Sequence, residues 1–542
     1  AEIRPASVLP VRNATVENGT IRIGRHGFVL VDFFHLEMGK VSFRAKGSGQ
    51  LTVSVGESPE EAMNDNRNAF EQYPIEPFEL DGGASRIESP ERALRYVKIY
   101  SENGCELTDV KFTAKIWPVN FLMSFECSDE RINAIWHASV ATLLTSTHGF
   151  YLDGIKRDYL PWSMDAVVSN FGGDYVFGQK QVALNGLSVS MLPLNPNRKD
   201  FGIPDYPLHA LIGFRQLYQR YHDFETILAY RDRIRQLMAL YASIQDSRGF
   251  VSSKAAGGRG FTPGWSTLQG PDRQGIPAYA QIMLYWNFMI AAEFAEKWGD
   301  PKEAEGYRNR AESLKAKIME YFWDDDQGLF LNGYNRDGEF DSRISHHAQY
   351  WAVLAGIFPE ERQDAMFSRL AEIPHYRGNV SFEKGYEFLA YSKARKVREM
   401  WDFLFDVFGD WLDQGHTRFP ENFSYQSPRS EQLVFYKRPY GLSLCHGANG
   451  VPGIVAVLHG IAGFSQNPEK LNHYTLQPDW MDLQWARVEF PVKEGKIRMA
   501  LVDRKHVEVE IPDGCVVEYV DQQGKRTKLS GKDTSYLQTG LD

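Results

Sequence analysis

The chain has 542 residues, of which 43% are hydrophobic and 24% charged, with a formal net charge of -10 and a pI near 5.8. This length exceeds what one hydrophobic core supports, so two to four domains are expected. The negative balance, without a stripe of Lys and Arg, argues against a nucleic-acid partner, and no apolar run is long enough to predict a membrane span.

No nucleotide-binding or zinc motif accompanies this composition. The four cysteines form no CxxC pair, and HExxH, P-loop and strand-borne GxGxxG motifs are absent. We therefore expect neither a metal nor an organic cofactor. For localisation, we expect a periplasmic or secreted protein if Ala1 follows a cleaved signal, and a cytoplasmic one otherwise. A homodimer is compatible with the sequence.

The first part of the chain has the alternating pattern of β-strands. Apolar and polar residues alternate in several short segments with Gly-rich breaks between them, which is typical of an antiparallel sandwich. The segment 56–84, rich in Asp, Glu, Asn and Pro, is predicted to be a long loop. The predicted strands are 27–33, 40–44, 51–55, 93–99 and 110–116.

The period of the hydrophobic pattern becomes helical between about Ser128 and Gln466. Ile282, Tyr285 and Met289 fall on one helix face, and such segments make about a dozen helices, many joined as antiparallel pairs. We expect an (α/α)6 barrel. Its predicted helices include 130–147, 206–221, 225–244, 301–322, 346–356, 359–371, 386–392, 396–408 and 454–461.

From Trp485 the pattern returns to strands, predicted at 486–492, 496–502, 506–511 and 515–519. The predicted architecture is a central (α/α)6 barrel flanked by two antiparallel β-sandwiches. The predicted boundaries are 1–117 for the N-terminal sandwich, 118–478 for the barrel and 479–542 for the C-terminal sandwich.

The segment 151–165 concentrates charge within apolar sequence. Three carboxylates, one guanidinium and one indole lie there among residues such as Leu152 and Ile155; they are Asp153, Asp158, Asp165, Arg157 and Trp162. Carboxylates that are kept close together in a partly dry place change each other's pKa, and one can remain protonated as a general acid. The alternative is an ordinary solvated charged surface.

Aromatic residues also occur in loops among polar groups. Trp162, Tyr206, Trp265 and Phe419 are of this kind. An aromatic ring beside hydrogen-bonding groups suits a ligand with apolar CH faces and a polar rim, such as a sugar. We therefore consider a carbohydrate as the partner of this protein.

A second carboxylate stands far downstream of the acidic segment. Glu421 follows a proline and is expected in a loop, and His446 lies in the motif Ser-Leu-Cys-His-Gly. Glycoside hydrolysis requires an acid on the leaving oxygen and a second carboxylate across the sugar ring. Taken alone, Glu421 is also compatible with a solvated loop residue. For His446 alone, the sequence favours a hydrogen-bonded histidine in the core over a functional one.

These motifs together resemble the inverting α-L-rhamnosidases of glycoside hydrolase family 78. The hallmark of that family is D-G-x-x-R-[D/E]-x-x-x-W-x-x-D, and this chain matches it at Asp153, Gly154, Arg157, Asp158, Trp162 and Asp165. The segments 202–206, 345–348 and 443–447 are similar as well. The resemblance covers the predicted barrel and C-terminal sandwich well, and the N-terminal sandwich loosely.

The resemblance implies a role for each matching position. Asp158 matches the general acid, and Glu421 matches the general base that activates water. Substrate-binding positions are matched by Asp153, Arg157, Trp162, Asp165, Trp265 and His446. The implied reaction releases terminal α-L-rhamnose with inversion, and we expect Asp153 and Asp165 to raise the pKa of Asp158. The alternatives are an unsaturated-uronyl hydrolase or polysaccharide lyase on the same fold, and a non-catalytic carbohydrate-binding protein.

Overall fold

The computed structural model describes residues 1–191, 203–257, 260–261, 274–373, 384–423 and 429–541. Within these ranges the protein has a mixed fold: a sheet-rich N-terminal part is followed by a helical middle and a sheet-rich C-terminal part. None of the helices in this described portion has both the length and the apolar character that a membrane span requires.

One long extended stretch, Thr20–Gly56, organises the N-terminal six-stranded sheet. The strands predicted at 27–33, 40–44 and 51–55 all lie inside it, and the chain bends back between them, because Gly27 and Leu51 both stand opposite Ser101 of a neighbouring strand. Its inward-facing side chains alternate with outward ones and form a separate hydrophobic core. The other strands of the sheet are Glu2–Ile3, Ser7–Glu17, Phe78–Glu88, Arg92–Ser101 and Cys105–Ala114.

A short helix, Pro59–Met63, follows this stretch, where the sequence predicts a loop over 56–84. The Ser58 hydroxyl accepts the N–H of Glu61 at 3.1 Å, and proline occupies the first turn. A serine cap followed by proline begins a helix even in a strongly acidic segment. The loop prediction is therefore wrong at this helix, and also where the strand Phe78–Glu88 begins.

The helical middle follows the predicted pattern in several places. The helices Tyr206–Tyr221 and Pro301–Phe322 begin and end as predicted, and the Asp300 carboxylate caps the second by accepting the Glu303 N–H at 3.0 Å. The other α-helices are Glu130–Thr145, Ser163–Val176, Lys180–Met191, Phe224–Ala229, Arg231–Ser243, Ala278–Lys297, His346–Ala355, Glu360–Ala371, Lys384–Lys393, Val397–Phe403, Asp410–Asp413, Arg429–Gln432 and Val451–Val455.

Shorter elements complete the middle part. Among the described residues, Leu404–Gly409 and Ala456–Ile461 are π-helical; Gly447–Gly450 beside the helices and Arg67–Ala69 in the N-terminal part form 3-10 turns. A small sheet among the helices consists of Ile276–Pro277, Trp323–Asp324, Leu329–Tyr334 and Phe340–Ile344.

The helix Ser163–Val176 is buried on every side, including its polar residues. A helix without a solvent-facing side carries no amphipathic pattern, which explains why the sequence analysis does not predict it. Its first turn contains Asp165, so the burial of this helix fixes the position of that carboxylate.

Two sheets form the C-terminal part, and both include strands that precede residue 479. The five-stranded sheet takes Ser124–Cys127 as an edge strand, next to Ala486–Val492. Its other strands are Gly495–Asp503, His506–Ile511 and Asp533–Gln538, and the four-stranded sheet consists of Phe464–Gln466, His473–Leu476, Val516–Val520 and Arg526–Ser530.

Candidate active site

Three distant stretches of chain meet through main-chain contacts. Gly154 forms an isolated antiparallel bridge with His446. The Glu421 N–H donates to the Ser443 carbonyl at 2.9 Å, and the His446 N–H donates to the Phe419 carbonyl at 2.9 Å. The acidic segment, the stretch around Glu421 and the stretch around His446 are therefore neighbours, as the sequence analysis requires.

A buried cluster of two carboxylates and one imidazole lies beside this junction. His446 Nε2 is 3.2 Å from Asp165 Oδ1, and Asp153, Asp165 and His446 are all buried. Burial, followed by the charge of Asp165, raises the pKa of Asp153 to about 8. Burial alone lowers the pKa of His446, but its hydrogen bond to Asp165 and the surrounding carboxylates outweigh this, so the pKa of His446 is raised.

Arg157 links the two carboxylates that were predicted as acid and base. Its guanidinium donates to Glu421, and its Nη1 is 3.6 Å from Asp158 Oδ2. The guanidinium also lies 4.7 Å from the centre of the Tyr436 ring and 5.2 Å from that of Phe435. Burial raises the pKa of Glu421, although the charges of Arg157 and His446 oppose that effect.

Asp158 is the exposed member of the group. Its side chain is 44% exposed, and the indole N–H of Trp162 donates to its Oδ2 at 3.3 Å. Asp158 and Tyr159 both adopt left-handed backbone conformations, with φ of 57° and 55°. Such φ values are uncommon outside glycine and concentrate at functional sites, where neighbouring structure compensates for their cost.

The predicted aromatic wall is present in part. Trp162 lies at the start of the helix Ser163–Val176, with its ring centre 6.0 Å from that of Tyr206 in an edge-on arrangement. Trp265, also predicted as a substrate-binding residue, lies outside the described residues. The predicted positions that meet at this site are Asp153, Arg157, Asp158, Trp162, Asp165, Glu421 and His446.

The pair of carboxylates that lie close enough to change each other's pKa differs from the expected one. From the sequence we expect Asp153 and Asp165 to raise the pKa of Asp158. In the structure the coupled pair is Asp153 with Asp165, while Asp158 faces Trp162 and Arg157. The reason is geometric: Asp158 lies in a left-handed turn at the mouth of the site, whereas Asp153 and Asp165 lie beneath it in the interior.

The sequence analysis does not include three buried residues beside the site. Lys156 Nζ lies 3.3 Å from a carboxylate oxygen of Glu57 and 3.3 Å from one of Glu61, both in the N-terminal part. These glutamates stand in the segment that was predicted to be a loop, about a hundred positions before the lysine. The only signal in the sequence is the Ser-Pro-Glu-Glu helix start.

The chain is similar to known proteins in sequence and in fold. The family model of the bacterial alpha-L-rhamnosidase 6 hairpin glycosidase domain matches residues 121–381. The chain is similar to the GH78 family rhamnosidase of Bacillus sp. GL1, with a TM-score of 0.75 and 19% identity over 93% of this chain and 52% of that one. It is also similar to the rhamnosidase from Klebsiella oxytoca with rhamnose bound, with a TM-score of 0.65 and 19% identity over 83% of this chain and 96% of that one.

A third similar structure is the Streptomyces avermitilis alpha-L-rhamnosidase complexed with L-rhamnose, with a TM-score of 0.68 and 15% identity over 98% of this chain and 53% of that one. The chain thus spans about half the length of the Bacillus and Streptomyces proteins. Residues 121–381 are thus similar to a glycosidase domain. The predicted resemblance of the chain to α-L-rhamnosidases of glycoside hydrolase family 78 is confirmed.

Proposed function

We propose that this protein is an α-L-rhamnosidase that releases terminal α-L-rhamnose from glycosides or polysaccharides with inversion. The observation that carries the proposal is that one guanidinium, that of Arg157, contacts both Asp158 and Glu421. Two carboxylates on one guanidinium lie within reach of a single sugar ring. We also propose that the helical middle is an (α/α)6 barrel over 118–478, with sandwiches at 1–117 and 479–542, the second of which is completed by the strands Ser124–Cys127, Phe464–Gln466 and His473–Leu476.

The proposed reaction is a single displacement. The protonated Asp158 carboxyl donates its proton to the glycosidic oxygen while the bond from that oxygen to the anomeric carbon breaks. Glu421, ionised, takes a proton from a water molecule, whose oxygen bonds to the anomeric carbon from the opposite face. The products are β-L-rhamnose and the free alcohol, and both carboxyl groups exchange their protonation states.

The ion pair between Arg157 and Glu421 restricts the proposed base. While the guanidinium donates to Glu421, the carboxylate stays ionised but has fewer oxygen lone pairs available to water. The proposed reaction therefore requires this pair to loosen when the sugar enters. Burial raises the pKa of Glu421, which strengthens it as a base once it is released.

The cluster of Asp153, Asp165 and His446 is proposed to hold sugar hydroxyl groups. With a pKa of about 8, Asp153 carries a proton near neutral pH and can donate as well as accept a hydrogen bond. His446, whose pKa is raised, is a donor beside it. The exposed ring of Trp162 is proposed to face the apolar side of rhamnose, at its C5 methyl group.

Two measurements test the proposal. Proton NMR of a fresh digest of an aryl α-L-rhamnoside should show β-L-rhamnose before mutarotation, and initial α-L-rhamnose would exclude Glu421 as a base acting on water. A panel of aryl glycosides should show faster cleavage of the L-rhamnoside than of the L-mannoside, which differs by one hydroxyl group at C6. A faster L-mannoside would exclude the proposed substrate class.

A further inference from the structure

One carboxylate from the N-terminal part touches two stretches of the candidate active site. Glu57 Oε2 accepts the Leu444 N–H at 2.6 Å and lies 3.3 Å from Lys156 Nζ. Leu444 is two residues before His446, and Lys156 directly precedes Arg157. We call residues 152–160, which lie within the acidic segment 151–165, the acid segment, and residues 441–447 the histidine segment.

The contacts of Lys156 leave none of its protons unused. Its ammonium donates to the Tyr440 carbonyl at 2.9 Å and faces Glu57 and Glu61, each at 3.3 Å. The side chains of Lys156, Glu57 and Glu61 are 1%, 0% and 2% exposed. A lysine with three buried acceptors is fixed in position, and so is the main chain that carries it.

From this geometry we infer that Glu57 is a positioning residue for the rhamnosidase reaction proposed above, on which this inference rests. Its single carboxylate holds the acid segment through Lys156 and the histidine segment through the Leu444 N–H. The N-terminal part, at the link between the strand Thr20–Gly56 and the helix Pro59–Met63, therefore belongs to the catalytic apparatus and sets where Asp158 stands relative to His446.

The cost of burying Glu57 supports this role. Burial raises the pKa of Glu57 to about 7, even though the Lys156 charge opposes that effect. A buried ion pair is weak evidence for stability, because an apolar group of similar shape often serves as well. Glu57 is buried in spite of this cost, and both of its contacts are to segments of the site. This indicates that its role is to position those segments.

A second carboxylate of the N-terminal part contacts the base side of the site. Glu37 Oε1 accepts from Arg418 Nη2 at 2.7 Å and from the Thr145 hydroxyl at 2.8 Å, and all three side chains are buried. Arg418 stands three residues before Glu421. The N-terminal part thus contacts both the acid side and the base side of the site. On each side a buried carboxylate accepts from a cation and from a second polar donor.

Three variants separate positioning from general stability. Glu57→Gln removes the charge and keeps the shape. Glu61→Gln removes a charge beside Lys156, while its amide oxygen can still accept the Glu57 N–H, as the Glu61 carboxylate does at 2.9 Å. Glu494→Gln is a matched control. Glu494 accepts the Tyr474 hydroxyl at 2.8 Å, with its side chain 15% exposed, and touches neither segment. Kinetics on an aryl α-L-rhamnoside and hydrogen–deuterium exchange of the two segments are measured for each.

We expect Glu57→Gln to lower kcat about 10- to 100-fold with KM changed less than threefold, and to speed exchange in both segments. Glu61→Gln should speed exchange in the acid segment alone, and Glu494→Gln in neither. Unchanged kcat and unchanged exchange in Glu57→Gln would overturn the inference. The inference would also be overturned if Glu57→Gln and Glu494→Gln lowered Tm equally and Glu57→Gln lowered kcat no more than Glu494→Gln did.

Two further outcomes are also decisive. If Glu57→Gln does not fold, Glu57→Asp replaces it, because the shorter carboxylate keeps the charge but cannot reach both partners, and the same two readouts apply. If the unchanged protein cleaves no α-L-rhamnoside, the proposed function fails, while the exchange data still decide whether Glu57 links the two segments.

Discussion

The Arg157 guanidinium donates to the Glu421 carboxylate, which stands 264 positions later in the chain. The same guanidinium faces Asp158 and stacks on the ring of Tyr436, so this side chain is held on three sides. Because the acid and the base of the proposed reaction share this one cation, changes at Arg157 affect both of them.

Replacing Arg157 should move the pH dependence of the reaction. In Arg157→Met the buried Glu421 loses the positive charge that opposes the rise of its pKa. A base with a higher pKa ionises only at higher pH. The acidic limb of the pH profile of kcat/KM should therefore move to higher pH, by about one unit or more. Arg248→Met is the matched control, since Arg248 also pairs with a carboxylate, Asp246, and stacks on Phe250. A limb that stays in place would show that Arg157 does not tune the base.

Asp158→Asn should abolish most of the activity without abolishing sugar binding. The amide has no proton that it can transfer to a leaving oxygen, so kcat should fall by a factor on the order of 10²–10⁴. Rhamnose affinity by calorimetry should change little. Asp325→Asn is the control, because Asp325 also accepts an indole N–H, that of Trp323, at 2.8 Å. Full activity in Asp158→Asn would remove this residue from the mechanism.

Asp153 and Asp165 should respond differently to the same substitution. With a pKa of about 8, Asp153 is protonated at pH 6, so Asp153→Asn replaces one neutral group with another. Asp165→Asn removes the carboxylate that accepts from His446. At pH 6 we expect the Kd for rhamnose to rise less than tenfold in Asp153→Asn. The rise in Asp165→Asn should be larger than the rise in Asp153→Asn. Calorimetry at pH 6 measures both, and the reverse order would contradict the assigned protonation of Asp153.

Asp174 provides a test of stability that is separate from catalysis. Asp174 is fully buried, accepts the Tyr221 hydroxyl at 3.1 Å, and its pKa is raised by burial to about 7. A raised carboxyl pKa means that the folded state binds a proton which the unfolded state has lost, so this residue lowers stability as pH rises from about 4 to 7. Asp174→Asn should therefore stabilise the protein more at pH 8 than at pH 5, by on the order of 2 kcal/mol. Denaturant unfolding at the two pH values checks this, and an equal effect at both would exclude the raised pKa.

The sequence predicts the amphipathic elements well and the buried ones poorly. Pro301–Phe322 has a solvent-facing side, Tyr206–Tyr221 has a half-buried polar stripe of Arg215, Gln216 and Gln219, and the periodicity gives both ends of each helix correctly. The segments predicted at 396–408 and 454–461 contain π-helical turns, which a pattern of apolar residues does not reveal. Ser163–Val176 has no solvent-facing side, so the helix that carries Asp165 is missed.

For the candidate site, the sequence identifies residue types and spacing but not partners. The motif places Asp153, Asp158 and Asp165 in one cluster, yet spacing alone does not tell which two lie closest together in the interior. That depends on the left-handed turn at Asp158 and on the burial of Asp165 in its helix. Contacts from the N-terminal part, such as Glu57 with Lys156, come from packing between distant segments and have no local pattern.

The edge strand Ser124–Cys127 hydrogen-bonds to Ala486–Val492, so the chain leaves the C-terminal sheet and returns to it only after the whole helical part. A fragment that stops before residue 486 would expose the main-chain groups of 124–127 to water and leave an open sheet edge prone to aggregation. Shortened versions for crystallisation or engineering should therefore retain the last sixty residues or so, and a helical part expressed alone is expected to be poorly soluble.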